Sequence, residues 1–273
     1  MTLTTDRSGA FRELHQSGCF VIPNPWDVGS ARVLAQLGFQ ALATTSSGFA
    51  WSLGRPDHNH VSLNEALTHF RSIAESVALP VNADFEGGFA IAPDAVGANV
   101  AAATTTGIAG LSIEDSTGDP ANPLFDFALA VERIHAARQA IDKSGTGVLL
   151  TGRSEGFIVG RPDLKETIRR LVAYADAGSD CLFAPGIRSI LDIATVVKAV
   201  APKPVNVLVG SDFATVKELT DAGVRRVSVG GALARVAWTG FLQAATEIAR
   251  QGTFTNLGRA ASFADVNGLF GRE

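Results

Sequence analysis

Val148-Leu149-Leu150-Thr151-Gly152-Arg153-Ser154-Glu155 begins as a buried strand and stops in charge. Two more stretches repeat the pattern, Pro80-Val81-Asn82-Ala83-Asp84 and Gly110-Leu111-Ser112-Ile113-Glu114-Asp115. Apolar runs of this length, bounded by turn signals, read as parallel strands buried on both faces. Charged groups at the carboxyl ends of successive strands place a polar cluster at one mouth of a parallel α/β barrel. That is where such barrels keep their chemistry.

Strand-like and helix-like segments alternate on both sides of these three, which argues for a parallel sheet with crossover helices. The expected strands are Cys19 to Pro23, Ala41 to Thr44, Val81 to Asp84, Leu111 to Glu114, Val148 to Arg153, Asp180 to Ala184, Pro204 to Leu208 and Arg226 to Val229. Helical patterns follow each, among them Leu63 to Ser76, Ile190 to Val200 and Ala232 to Arg250. Pro93 suits a first helical turn, and Gly38, Gly107, Gly178 and Gly223 sit where helices end in a left-handed cap. About eight β/α units close a (β/α)8 barrel, an α/β fold. We read one domain over residues 1–273. Residues 253–273 form a C-terminal tail whose Phe254, Leu257, Phe263, Val266, Leu269 and Phe270 need cover, from the barrel or from a neighbouring subunit.

Composition narrows the class. Hydrophobic residues make up 46% of the 273, enough for a large core, and only 18% are charged. A net charge of −4 leaves no electrostatic footprint for nucleic acid. No apolar run reaches the roughly 18 residues of a membrane span, and Met1 to His15 does not read as a signal peptide. The expectation is a cytoplasmic protein with no membrane partner. Cys19 and Cys181 lie in apolar runs and read as reduced core thiols.

The strand ends supply the chemistry. Asp84 and Glu114, on adjacent strands, suit Mg²⁺, which takes oxygen ligands, keeps waters and needs only one or two carboxylates. Glu86 and Asp115 are weaker candidates beside them. Arg153 and Glu155, two apart on a strand, point to one face, and the guanidinium there can hold a carboxylate or phosphonate through a fork of two hydrogen bonds. Thr44-Thr45-Ser46-Ser47-Gly48 reads as a turn whose hydroxyls and amides can cradle an acid. Asp57 lies in a polar loop with His58 and His60, which more often stay solvated than bind zinc.

Asn24-Pro25-Trp26-Asp27-Val28-Gly29-Ser30-Ala31-Arg32, Thr45-Ser46-Ser47-Gly48, Gly54-Arg55-Pro56-Asp57, Asn82-Ala83-Asp84, Ile113-Glu114-Asp115 and Arg153-Ser154-Glu155, in that order and spacing, resemble the isocitrate lyase/phosphoenolpyruvate mutase superfamily. The resemblance implies a barrel whose last helix is exchanged between subunits of a dimer or tetramer. It implies Mg²⁺, or Mn²⁺ in its place, and a small anionic keto-acid or 2-hydroxy acid substrate that passes through an enolate. By the same resemblance Asp84 is the direct metal ligand, Asp57 and Glu114 act through water, and Asn82 stands beside them. Thr45, Ser46, Ser47, Arg153 and Glu155 bind substrate, while Arg153, Glu114, Asp57 and Asn122 are the catalytic candidates.

Two departures from the family pattern shape the expected activity. Asn82 replaces the first acid of a D-x-D pair, removing one negative charge from the metal site. The stretch Asp115 to Pro123 contains no Cys, Lys or His, where the lyases carry a K-[KR]-C-G-H loop; Asn122 alone matches the mutases' asparagine. The expectation is a C–C lyase, decarboxylase or hydrolase of a small acid. The alternatives are a phosphoenolpyruvate phosphonomutase, a phosphate-binding metal-dependent aldolase using the glycine turns after the last two strands, and a non-catalytic keto-acid-binding protein.

Overall fold

The computed structural model describes residues 6–271. Residues 1–5 and 272–273, the ends of the expected domain, lie outside the described residues. The eight strands are β1 (Phe20–Ile22), β2 (Leu42–Ala43), β3 (Val81–Asp84), β4 (Gly110–Glu114), β5 (Leu149–Arg153), β6 (Cys181–Phe183), β7 (Val205–Leu208) and β8 (Arg226–Ser228). All pairings are parallel, in the order β1-β8-β7-β6-β5-β4-β3-β2. The remaining seam is stitched by the Ala43 amide, which donates to the Pro23 carbonyl at 3.0 Å. Asn24 reinforces it: Nδ2 donates to Thr44 O at 3.0 Å, while Oδ1 accepts from the amides of Val229 at 2.9 Å and Gly230 at 2.8 Å. The result is a nearly closed (β/α)8 barrel, as expected.

The helices are α1 (Arg7–Leu14), α2 (Val28–Gln36), α3 (Ser46–Ser52), α4 (Leu63–Ser76), α5 (Pro93–Ala103), α6 (Phe127–Ser144), α7 (Leu164–Asp176), α8 (Ile190–Val200), α9 (Val216–Asp221), α10 (Ala232–Gln251) and α11 (Phe263–Gly268). Their ends obey local chemistry. Ser62 and Glu65 form a reciprocal capping box on α4, and Thr215 with Glu218 does so on α9. Pro93 occupies the first turn of α5, and the expected cap glycines have positive φ. The strand interiors Ala83, Leu111, Leu150 and Leu182 meet the inward faces of α4 to α8 in one buried cluster, which fixes the strand ends rigidly.

Two elements correct the sequence reading. Residues 7–14 form α1, which plugs the amino-terminal mouth by burying Phe11 against Phe20, Ile22 and Leu149. With Phe11 its single buried side chain, α1 has no apolar periodicity to betray it. Ser46 to Ser52 is a helix, not a turn. Thr45 is its N-cap, the side chain accepting from the Gly48 amide at 3.4 Å.

The tail continues from α10 through a 3₁₀ turn (Thr255–Arg259) into α11. It touches its own barrel where Gln36 Nε2 donates to Leu269 O at 2.6 Å. The barrel does not cover it: Phe263 is 84% exposed and Phe254 61%, and on α10 Val236, Phe241 and Leu242 are more than half exposed too.

Candidate active site

Parallel pairing sets the ends of β3, β4 and β5 side by side, and their last residues are Asp84, Glu114 and Arg153. Arg153 Nη1 lies 3.3 Å from Asp84 Oδ1 and 3.2 Å from Glu114 Oε2, while its Nε donates to Glu155 Oε1. The guanidinium also lies over the Phe183 ring, 5.2 Å from its centroid. Burial works against the Arg153 charge, but Glu155, Glu114 and Asp84 outweigh it and hold the guanidinium firmly protonated.

The carboxylates outnumber their cation. Burial pushes the Glu114 carboxyl well up; Arg153 opposes this, and Glu155, Asp84 and Glu86 add to it. Glu155 is raised chiefly by burial as well. Glu86 rises to about 7, first through burial and then through Asp84 and Asp57, against a hydrogen bond from the Asn59 amide at 2.8 Å. The loop carrying Glu86 is wound through left-handed conformations at Glu86 (φ 44°) and Phe89 (φ 55°), and Arg133 holds it from α6. Arg133 donates Nη1 to Ala90 O at 2.5 Å and Ile91 O at 2.8 Å, and Nη2 to Gly87 O.

Beside this cluster, α3 aims its amino terminus at the barrel mouth. The Ser46 amide donates to Asp84 Oδ2 at 3.0 Å, and Thr44 Oγ1 accepts from the Asp84 amide at 2.9 Å. Thr45 and Ser47 share a hydroxyl contact of 3.0 Å. One cavity of about 170 Å³ joins these parts, lined by Thr45, Ser46, Ser47, Asp57, Asn82, Asp84 and Arg153. Seven of the ten site residues expected from sequence thus share one space. Glu114 and Glu155 meet it through Arg153.

Asn122 does not belong to this group. It is exposed, its carbonyl accepting from Thr117 Oγ1 at 2.5 Å and its amide reaching Asp119 at 3.4 Å inside their own loop. His58 and His60 are exposed too. Asp115 faces outward as a buried hub, accepting from the Glu155 amide at 2.7 Å, Tyr174 Oη at 2.6 Å and Arg170 Nη1 at 3.1 Å. It positions Glu155 and does not line the cavity.

The donor set fits a hard divalent cation. It offers oxygen only, and its negative charge exceeds what Arg153 balances. Among the described residues no three His, Cys, Asp or Glu side chains converge as a cage. Asp84 and Glu114, with Asp57 nearby, are the groups that would hold the cation. The glycine turn after β8 suits a phosphate less well, because the amides of Val229 and Gly230 already donate to Asn24. Sequence reading gave no catalytic or binding role to the polar interior below this site, Asn24, Asn206, Arg226 and Ser228, all of which line the cavity. Arg226 and Ser228, alternating with Val227 and Val229, were the available signal.

Comparison with known proteins agrees with this geometry. A family model described as phosphoenolpyruvate phosphomutase matches residues 11–249. A crystal structure from Burkholderia cenocepacia J2315, provisionally assigned as a lyase/mutase, is 46% identical, with a TM-score of 0.94 over 100% of this chain and 98% of its own. An uncharacterised protein of Mycobacterium tuberculosis is 35% identical over 248 residues, 88% of each chain. An oxaloacetate decarboxylase of Bradyrhizobium diazoefficiens is 30% identical over 188 residues, 67% of this chain and 64% of the decarboxylase.

Proposed function

The chain belongs to the isocitrate lyase/phosphoenolpyruvate mutase superfamily, and from that premise we propose a Mg²⁺-dependent enzyme that breaks a C–C bond of a small 2-keto or 2-hydroxy acid, leaving an enolate. One observation carries this reading: the α3 amino terminus, Arg153 and Asp84 line a single small cavity, with Glu114 paired to Arg153 beside it. The Thr45, Ser46 and Ser47 hydroxyls, with the Ser47 amide, orient the substrate carboxylate, while the Ser46 amide holds Asp84. With a 2-keto acid, Arg153 faces the carbonyl oxygen that gains charge as the C–C electron pair shifts toward it. With a 2-hydroxy acid it faces the hydroxyl oxygen, which loses its proton to water as its C=O forms, while the C–C pair leaves on the other fragment as the enolate. Mg²⁺, when bound, supplies Lewis-acid stabilisation of that charge. Glu155, held by Asp115, fixes the plane of the Arg153 fork.

A second reading is decarboxylation, as in the Bradyrhizobium relative. The 115–123 loop offers no Cys, Lys or His to protonate an enolate and is tied into its own turn, so in either reading the proton comes from water. Release of CO₂ leaves an enolate that water can protonate.

The exposed apolar faces of α10 and α11 support assembly of the barrel with further copies of itself. Among the described residues no helix is long and apolar enough to cross a membrane.

Calorimetric titration with oxalate, an analogue of the pyruvate enolate, tests the central reading. Binding is expected to require Mg²⁺ and to vanish in Asp84→Asn with the fold intact by circular dichroism. Equal binding with and without Mg²⁺, or in that variant, removes the metal-assisted enolate site.

A further inference from the structure

Arg226 is the cation that this function leaves unused. It opens β8, is 3% exposed, and lines the same cavity as Asp84, Arg153 and the α3 amino terminus. Its Nε donates to Asn206 Oδ1 at 2.9 Å, its Nη2 to Thr151 Oγ1 at 3.0 Å, and its Nη1 to His15 Nε2 at 3.3 Å. The last role follows from chemistry. His15 Nδ1 lies 2.7 Å from the Phe11 carbonyl, which can only accept, so Nδ1 carries the proton and Nε2 is the acceptor.

All three partners are therefore uncharged. Among the described residues no carboxylate pairs with Arg226, although Arg170 has Asp115 and Glu166, and Arg153 has three acids. Burial lowers the pKa of Arg226, yet a guanidinium keeps its proton. Three bonds from five N–H groups leave two for another acceptor. A buried charge without a counter-charge is costly, and this one meets a cavity that opens at the barrel mouth.

We propose that Arg226 makes the floor of the cavity an anion subsite for the substrate's acid group that α3 does not hold. This deepens the proposed function and rests on it for placing the first acid group at α3. A guanidinium fork takes a carboxylate or a phosphonate equally well by geometry. A carboxylate held there keeps its charge, whereas decarboxylation destroys that charge, so binding at Arg226 favours cleavage between internal carbons over loss of CO₂.

The test is calorimetry on the full chain with Mg²⁺ and four ligands: oxalate, malate, the C4 monoamide of malate, and 3-phosphonolactate. Wild type is expected to prefer malate over its neutral amide by about tenfold or more, as a charge-assisted fork should. Arg226→Gln should collapse that preference while oxalate affinity stays within about threefold, and Arg226→Lys should restore part of it. Phosphonolactate binding as tightly as malate, and losing as much in Arg226→Gln, assigns the floor to either oxyanion; loss confined to malate assigns it to carboxylates. Equal wild-type affinity for malate and its amide overturns the subsite, and needs no variant to fold. So does a preference that survives in Arg226→Gln. Failure of oxalate to bind wild type strikes the enolate site instead, and the malate-to-amide ratio still reports on the floor.

Discussion

Arg153 shows how much a single side chain depends on its geometry. One Nη1 meets both Asp84 and Glu114, and Nε meets Glu155, so the planar group is held at two edges. A lysine ammonium has the charge but not the fork. Arg153→Lys is expected to weaken Mg²⁺-dependent oxalate binding by at least about tenfold, and unchanged affinity in the same titration would reject the assignment. Asp115 is the structural counterpart. It is 2% exposed and collects an amide, a tyrosine hydroxyl and Arg170. Asp115→Ala leaves the Tyr174 hydroxyl and the Glu155 amide without their acceptor and Arg170 with Glu166 alone, and should cost about 2–4 kcal/mol in urea unfolding. Asp84, Glu114, Arg153 and Glu155 were legible in the sequence because each stands at or just past the end of an apolar run. Asp115 was read as a companion of the metal site because sequence shows that a residue follows a strand, not which way it turns.

At the scale of elements, α3 has the most consequence for the site. The sequence reading took its first residues for a turn, since Ser, Ser and Gly are poor helix formers. Packing overrides that preference. Gly48 lies where a Cβ would come within 2.7 Å of Thr45 Cγ2, 2.8 Å of Trp26 Cβ and 3.3 Å of Ala234 Cβ. The helix sits in place because the chain is bare at that point. Gly48→Val should displace α3 from the barrel, lowering stability by about 1–3 kcal/mol. It should also weaken oxalate binding, although no ligand-facing atom is changed. A variant with wild-type affinity and midpoint would show that α3 is free to shift. The Glu86–Ile91 loop is a similar case. Its left-handed turns and its brace from Arg133 leave no period to read, so the sequence marked Glu86 only as a nearby acid.

For the whole molecule, two properties emerge that no single element carries. The apolar faces of α10 and α11 predict a dimer or tetramer by light scattering, and Phe241→Asp is expected to shift it toward monomer. An unchanged mass would place the contact elsewhere. The plugged barrel also makes stability depend on pH through His15. Burial, and then Arg226, hold its pKa at about 3 in the fold, against 6.5 for the ordinary side chain. The unfolded chain therefore takes up this proton first, and the stabilising effect is complete above pH 6.5. It is lost as pH falls from 6.5 toward 3, by about 1.4 kcal/mol per unit. The raised site carboxylates act in the opposite direction, so the comparison is wild type with His15→Gln, in which they cancel. Parallel stability curves for the two would refute the account.

By itself the sequence determined the eight β/α units, the mouth that carries the chemistry and most of the charged groups there. Strand runs, cap glycines and strand-end acids are local patterns, set by neighbours a few residues away. Only the tertiary structure decided that Arg153 lies between two acids, that Asn122 stands apart, that α1 seals the floor, and that Arg226 faces the cavity without a counter-ion. Those facts depend on barrel closure, which brings His15, Thr151, Asn206 and Arg226 together across as many as 211 positions of chain.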